Sequence, residues 1–119
     1  MLSLFLAYGI TTVRDAGGDI TPAVLQWREA INKGELAGPQ IFTPGPKLDG
    51  TNPAWPGSIK VTEEAGIEKA LDSLQKLGFD YVKMDDGNLT KEDFYKIIVA
   101  AEKRGLKTPG HMPVSANFL

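Results

Sequence analysis

The length, composition and charge of this chain exclude several classes of protein. It has 119 residues, enough for one domain, and its 42% hydrophobic and 24% charged residues are typical of a globular protein. A net charge of −2 provides no attraction to nucleic acid or to anionic membranes, and we expect neither as a partner. With no cysteine and one histidine, the chain cannot form disulfides, thiolate zinc sites, cysteine nucleophiles or an all-histidine metal site of its own.

Residues 1–8 are apolar, but they predict neither a transmembrane span nor a signal peptide. The stretch is much shorter than the roughly 20 residues of a span, and it lacks a basic leader and a small-residue cleavage site. It is typical of the end of a helix that Gly9 closes in a left-handed conformation. We therefore expect this chain to be a piece of a larger protein.

Four short strands are predicted after this first helix. Their β-branched or apolar runs lie at residues 10–14, 40–43, 79–84 and 106–111. Helical patterns separate them, and such alternation predicts parallel strands joined by right-handed crossovers. The fold class is therefore α/β, either an open doubly wound sheet or a partial (half) TIM barrel of about four strands.

The intervening helices have recognisable ends. The first is predicted to begin with Thr21 as its N-cap and Pro22 as its first residue. The second is predicted over residues 62–77, with acidic residues in its first turn. The third is predicted to begin with Thr90 as its cap and Asp93 in the capping-box position.

The segment 44–60 holds four of the eight prolines, and this density predicts no regular element. A long loop inside a compact domain is often a lid or a pocket wall. Trp55 either covers a pocket or anchors the loop to the body of the domain. The glycines at 17–18 could bind an anion before a helix or simply form a tight turn.

Lys83 is the most unusual residue of the predicted strands, because it lies in an apolar run near a carboxyl end, where α/β proteins place their sites. Alternation puts Phe79, Tyr81 and Lys83 on one face. Desolvation should lower the pKa of the Lys83 amine. A neutral amine could form a Schiff base or take up carbon dioxide as a carbamate that bridges divalent cations. Alternatively, its stem packs while its amine reaches water.

His111 closes the next predicted strand at a Gly-His-Met-Pro turn. A neutral imidazole suits zinc, nickel or iron, although a lone histidine is more often a structural hydrogen-bonding residue. Adjacent parallel strands lie about 4.8 Å apart, so Lys83 and His111 should be close to each other.

Two further polar pairs follow strand ends. Asp85 and Asp86 could act as an acid–base pair, but they precede Gly-Asn and could instead form a turn. Arg14 and Asp15 could form a local ion pair or line the mouth of a site.

Four motifs resemble the amidohydrolase superfamily. GITTVRDAGG at 9–18 is similar to the family's GVTTVRDxGG strand, and GELAGPQI followed by PGP within 34–46 resembles its GxxxGPRI…GP segment. YVKM at 81–84 resembles DxIKV, and GHMP at 110–113 resembles GHxP. The nearest branch is the imidazolonepropionase-like and prolidase-like group.

This resemblance implies a (β/α)8 metal-dependent hydrolase. Lys83 matches the family's carboxylated lysine on the fourth strand, and His111 matches a metal ligand that closes the fifth. The implied cofactor is a divalent metal, zinc above all, whose bound hydroxide attacks a carbonyl carbon. The C–N bonds of amides, cyclic amides or dipeptides are then cleaved, and esters and lactones are also possible substrates. The expected substrate is a small molecule or a dipeptide. We expect Arg14, Trp55 and Tyr81 to bind it.

The chain also departs from the family pattern. The first-strand His-x-His would precede Met1, and the sixth-strand His and eighth-strand Asp would follow Leu119. Residues 1–119 are therefore expected to be a fragment of the hydrolase domain that covers strands two to five. Lys83 and His111 provide at most two ligands, whereas a catalytic zinc site needs three protein ligands and a water.

We accordingly expect the isolated chain to be inactive, with Lys83 an ordinary amine and with no metal of its own. Unpaired strand edges and an exposed inner face carrying Phe79 and Tyr81 predict a homo-oligomer. Two alternatives are a Schiff-base lyase that uses Lys83 and a non-catalytic, self-associating α/β module. The sequence does not distinguish a cytoplasmic from an exported protein.

Overall fold

The computed structural model describes residues 1–18, 20–85 and 88–116. In chain order, its helices and strands are α1 (Leu2–Ala7), β1 (Thr12–Arg14), α2 (Thr21–Asn32), β2 (Gln40–Phe42), β3 (Leu48–Asp49), β4 (Ile59–Lys60), α3 (Glu64–Lys76) and α4 (Lys91–Lys103).

The strands form two parallel pairs. β1 pairs with β2 so that Val13 lies opposite Ile41, and β3 pairs with β4 so that Leu48 lies opposite Ile59. A parallel bridge between Leu48 and Met84 joins the second pair to the next segment of the chain. The predicted α/β class with parallel pairing is thus confirmed.

Residues 79–84, predicted to form one strand, are held by separate hydrogen bonds rather than by a continuous ladder. The amide of Asp80 donates to the carbonyl of Thr43 at 2.9 Å, and the carbonyl of Lys83 accepts from the amide of Leu48 at 2.8 Å. Two prolines of the facing segment lie between these bonds, and proline has no N–H to donate. The ladder is therefore interrupted where regular pairing was expected.

Residues 106–111, the last predicted strand, are also irregular. The amide of Val82 donates to the carbonyl of Lys107 at 2.9 Å, which keeps the two segments side by side. Pro109 removes one donor from this segment. A half barrel of about four strands is therefore not confirmed, although neighbouring segments remain linked in the predicted order.

The prediction that residues 44–60 contain no regular element is wrong. β3 and β4 both lie in this segment, where the amide of Ile59 donates to the carbonyl of Lys47 at 2.7 Å. β3 lies between Pro46 and Pro53, and β4 follows Pro56, so the N–H groups of both strands are available. Leu48 and Asp49 are fully buried, which explains why so short a pairing persists.

The helix ends agree with the sequence in part. Gly9 follows α1 with a φ of +77°, as its predicted left-handed position requires. Thr90 caps α4, since its Oγ accepts from the amide of Asp93 at 3.1 Å. Thr21 does not cap α2: Ile20 is the N-cap, and the Thr21 hydroxyl donates to the carbonyl of Gly18 at 3.0 Å.

The core lies beneath α3 and α4. These helices pack against each other and bury their apolar stripes, which include Leu71, Leu74 and Ile97, against Leu48 and Val82. The patterns of both helices predict these buried faces. Among the described residues, no helix combines the length and apolarity needed to cross a bilayer.

The expectation that Phe79 and Tyr81 are exposed is wrong. Both side chains are buried, because the 43–46 segment and the end of β1 fold over them. Gly45 packs so closely on the Phe79 ring that a Cβ built on Gly45 would approach it to 2.6 Å.

Candidate functional site

A cavity of about 460 Å³ brings together four of the five side chains predicted to form a site. Arg14 comes from β1, Trp55 from the loop between β3 and β4, Lys83 from the segment beside β3, and His111 from the irregular segment after Gly110. A cavity of this size accommodates a small molecule.

Lys83 forms part of the floor of this cavity. Its residue is 8% exposed, and its backbone carbonyl accepts from Leu48 as described above. Strand alternation placed Lys83 on the same face as Phe79 and Tyr81, and its buried position agrees with that prediction.

Gly110 and His111 lie beside this amine. A Cβ built on Gly110 would lie 3.2 Å from both Nζ and Cδ of Lys83. The His111 side chain is exposed and lines the same cavity. The expectation that these two segments bring Lys83 and His111 to one place is thus met, whereas their role as metal ligands stays a prediction.

Arg14 lies at the rim of the cavity, above Tyr81. The guanidinium carbon of Arg14 is 5.7 Å from the centroid of the Tyr81 ring, and the Tyr81 hydroxyl donates a hydrogen bond to the backbone carbonyl of Asp15. Burial raises the pKa of Tyr81 to about 12; Arg14 opposes this shift, and Asp15 and Asp80 add to it. Tyr81 is thus buried beneath Arg14, and its direct contact with a substrate stays a prediction.

The carboxylate of Asp15 fixes the chain at the end of β1, beside the rim of the cavity. It accepts from the hydroxyl of Thr43 at 2.8 Å and from the amide of Gly17 at 3.2 Å. Of the two alternatives for the Arg14–Asp15 pair, this geometry favours Arg14 at the site mouth. The Gly17 amide is already bonded within the chain, so this turn favours the tight-turn alternative over anion binding.

The loop that carries Trp55 is held at the mouth of the cavity by a buried carboxylate, that of Asp49. Asp49 is 0% exposed, and its two oxygens accept from the amides of Gly50 at 2.7 Å and Ala54 at 2.8 Å. Trp55 itself is 53% exposed and lines the cavity. This loop is therefore fixed from within, while its indole remains available to a ligand.

Sequence reasoning missed Lys47, which also lines the cavity. Its Nζ lies 4.5 Å from the centroid of the Trp55 ring. The proline-rich loop at residues 44–60 indicated a pocket wall, and Lys47 lies in it. Nothing in the local sequence distinguished Lys47 from the other lysines of the chain. Asp85 also lines the cavity and is buried; its predicted partner Asp86 lies outside the described residues.

The described residues do not contain a complete metal centre. No group of three or more histidine, aspartate or glutamate side chains among residues 1–18, 20–85 and 88–116 is arranged to hold a metal ion. Lys83 and His111 therefore offer an incomplete ligand set.

Comparison with known proteins identifies the fold through solved structures alone. No family model matches the sequence, and no curated protein matches it. Bottromycin amidohydrolase superposes with a TM-score of 0.85 at 23% identity, over 97% of this chain and 25% of that protein.

Two other enzymes superpose as well. A Xaa-Pro dipeptidase with bound methionine has a TM-score of 0.69 at 25% identity, over 87% of this chain and 32% of its own. The ochratoxinase of A. niger has a TM-score of 0.74 at 16% identity, over 96% of this chain and 35% of its own.

The chain thus spans between a quarter and about a third of the length of these structures. The resemblance predicted from the four motifs is confirmed by these neighbours: the chain has the fold of one part of an amidohydrolase or prolidase.

Proposed function

We propose that this chain is the strand-two-to-five segment of a metal-dependent hydrolase that cleaves the C–N bonds of amides, cyclic amides or dipeptides. The observation that carries the proposal is the shared cavity of Lys83 and His111, the two residues that the resemblance marks as metal ligands. Neighbours that are amidohydrolases and a Xaa-Pro dipeptidase support the same class of reaction.

The side chains of Lys83 and His111 are suitable as two of the ligands of a zinc centre. Imidazole nitrogen is a preferred zinc ligand, and a carbamate on Lys83 would add two oxygen donors. Residue 110 is a glycine, so no side chain from this position presses on the Lys83 amine. Two ligands are too few for a catalytic zinc centre, so the proposed centre needs at least one further protein ligand.

A divalent metal bound here would lower the pKa of a water ligand and polarise a carbonyl. The described residues would hold this metal and position the substrate. Lys83 and His111 would hold the metal at the floor, while Arg14 and Trp55 bind and orient the substrate at the rim. The indole of Trp55 would also exclude water from one side of the bound substrate.

The isolated chain is proposed to be inactive and self-associating. An incomplete ligand set binds metal weakly, and the carbamate needs the metal to persist. α1 supports self-association because it exposes Leu4, Phe5, Leu6 and Tyr8, an apolar surface that a second copy could cover.

Zinc binding in the presence of bicarbonate tests this function. Because an incomplete ligand set binds weakly, we expect calorimetry at high zinc concentration to detect weak zinc binding by the chain. Under the same conditions, ¹³C spectra with labelled bicarbonate should show a zinc-dependent carbamate on the amine that is unmodified without metal. Lys83→Met and His111→Ala should each abolish both signals, whereas Lys76→Met, an exposed lysine of α3, should retain them. Zinc binding that survives both site substitutions would refute the proposal.

The Schiff-base alternative predicts a different product. Borohydride reduction in the presence of a carbonyl compound would leave a stable adduct on Lys83. A carbamate releases carbon dioxide on acidification and leaves no such adduct, so mass spectrometry separates the two chemistries.

A further inference from the structure

The segment that carries Lys83 is joined to the end of β2 partly through side chains. The amide of Asp80 donates to the carbonyl of Thr43 at 2.9 Å, as in a regular parallel ladder. Continued parallel pairing would join the amide of Thr43 to the carbonyl of Gly78. Instead, the amide of Thr43 donates to the carboxylate of Asp80 at 2.8 Å. The carbonyl of Gly78 accepts from the guanidinium of Arg28 at 3.2 and 3.3 Å.

Arg28 and Asp80 thus take the place of one backbone hydrogen bond. The guanidinium of Arg28, in α2, also donates to the carboxylate of Asp80 at 3.0 Å. Thr43 is fully buried, and a buried amide without an acceptor is costly, so the Asp80 carboxylate supplies what the backbone does not. The ion pair therefore sets the distance between the two chain segments at this point.

This junction is one of two anchors that hold the Lys83 segment on this side. Two prolines of the facing segment cannot donate, and the next described bond of this kind runs from the amide of Leu48 to the carbonyl of Lys83. The position of Lys83 therefore depends on the two ends of this gap, and the Arg28–Asp80 pair forms one of them.

The pair acts from outside the cavity. The side chains are partly exposed, 21% for Arg28 and 29% for Asp80, and neither is among the described lining residues. A partly exposed ion pair adds little to stability. A guanidinium is a rigid fork, however, and one that binds a carboxylate and a carbonyl at once restricts both. The pair is therefore better suited to fixing geometry than to stabilising the fold.

We propose that the Arg28–Asp80 pair positions the Lys83 amine in the cavity. Asp80 precedes Lys83 by three residues, so in an extended chain their side chains lie on opposite faces. The pair holds the segment from its outer face, while Lys83 lines the cavity. This inference rests on the proposed function, because a carbamate that shares a metal with His111 requires a fixed amine. Arg28 and Asp80 are positioning residues and do not contact the substrate.

The contact between Lys83 and Gly110 reports the position of the amine without any metal. A Cβ built on Gly110 would lie 3.2 Å from Nζ of Lys83. Nuclear Overhauser effects should therefore join the α protons of Gly110 to the Lys83 side chain in the native chain. This readout is taken in the folded state, so a loss of stability alone does not change it.

Three variants assign the position of Lys83 to the pair. Asp80→Ala should lose most of the Lys83–Gly110 contact. Arg28→Lys should lose it too, since a lysine retains the charge but cannot bind the carboxylate and the backbone carbonyl as a fork. One oxygen of Asp80, Oδ2, accepts from both Thr43 and Arg28, so Asp80→Asn can retain both bonds and should keep most of the contact.

Arg104→Lys is the matched control. Arg104 is another partly exposed arginine that binds carboxylates of a neighbouring element, those of Glu68 and Asp72 in α3, and it is not among the described lining residues of the cavity. Its replacement should leave the Lys83–Gly110 contact unchanged.

Circular dichroism of each variant confirms folding. Arg28→Lys changes a partly exposed side chain and keeps its charge, so it decides the question even if Asp80→Ala does not fold. A Lys83–Gly110 contact that persists in either variant, that is lost equally in Arg104→Lys, or that is absent from the native chain would overturn the proposal.

Labelled-bicarbonate spectra at high zinc concentration provide a second readout. The carbamate signal of Lys83 should fall about tenfold in Asp80→Ala, because loss of an outer partner of a metal ligand lowers metal affinity by about this factor. A native chain that shows the contact with Gly110 but no carbamate would refute the hydrolase alone. A carbamate that Asp80→Ala leaves intact would refute the positioning role alone.

Discussion

Gly110 lies directly against the amine of Lys83, such that a Cβ on this glycine would be 3.2 Å from Nζ. The segment that carries His111 therefore also limits the space around the Lys83 amine. A carbamate on this amine needs space for two oxygens, and the missing side chain at position 110 contributes that space.

Gly110→Ala should therefore reduce zinc-dependent carbamate formation while leaving the fold intact. The new methyl group would displace the flexible end of Lys83, and the φ of +159° at position 110 would strain the alanine backbone, so the cost in stability should be about 1–3 kcal/mol. Labelled-bicarbonate spectra and thermal unfolding measure the two effects. The matched control is Gly66→Ala in α3, whose new Cβ meets nothing within 4 Å and should stabilise the helix by about 0.5–1 kcal/mol. Equal carbamate formation in both variants would contradict the proposed role of Gly110.

Tyr81 should make the chain less stable at high pH. Its pKa is raised to about 12 in the folded chain from 10.0, so the folded state retains a proton that the unfolded state loses. The stability that this group contributes is complete below pH 10 and declines as the pH rises towards about 12. Urea unfolding between pH 8 and about 12 should show this decline, and Tyr81→Phe should lack its share of it.

Tyr8→Phe is the control for this titration, because Tyr8 is an exposed tyrosine outside the cavity. Tyr81→Phe should also lose about 1 kcal/mol at neutral pH, since the carbonyl of Asp15 loses its donor. A pH dependence identical in the native chain and in Tyr81→Phe would disprove the assignment.

Asp49 should control the order of the loop that carries Trp55. Asp49→Ala removes the acceptor of two amides and should destabilise the chain by about 3 kcal/mol. Asp49→Asn retains one carbonyl oxygen and should cost less. Tryptophan fluorescence, recorded with Trp27→Phe as background, should shift to the red in Asp49→Ala; an unchanged spectrum would show that Asp49 does not hold the indole.

Self-association should depend on α1. Leu4→Asp places a charge on its exposed apolar surface and should shift the oligomer towards monomer, because a buried charge without a partner is costly. Sedimentation over a range of concentrations measures this. Val99→Asp on α4 is a matched control, since Val99 is also exposed but lies away from α1. A chain that is monomeric at every concentration would contradict the self-association.

The sequence predicts the order of elements better than their lengths. Glycines, caps and apolar spacing are local signals, and they correctly predict α1, α3 and α4 and the cap at Thr90. The break in pairing along residues 79–84 depends on prolines of another segment, so no local pattern could reveal it. Strands of two residues, such as β3, are too short to show a periodicity.

In the candidate site, too, local patterns predict some residues, while others depend on tertiary contacts. Strand alternation and motif order predict that Lys83 and His111 share a site, because both signals lie within their own segments. Lys47 depends on the approach of Trp55 across the loop, which only the tertiary structure reveals. The burial of Tyr81 likewise arises from Arg14 and Asp15, residues far from it in the chain.

The most direct test of the central claim is anomalous diffraction at the zinc absorption edge, from crystals of this chain grown with zinc and bicarbonate. The account predicts a zinc peak between the carboxylated amine of Lys83 and the imidazole of His111. A zinc peak away from both residues, or density that places their side chains in separate cavities, would contradict it.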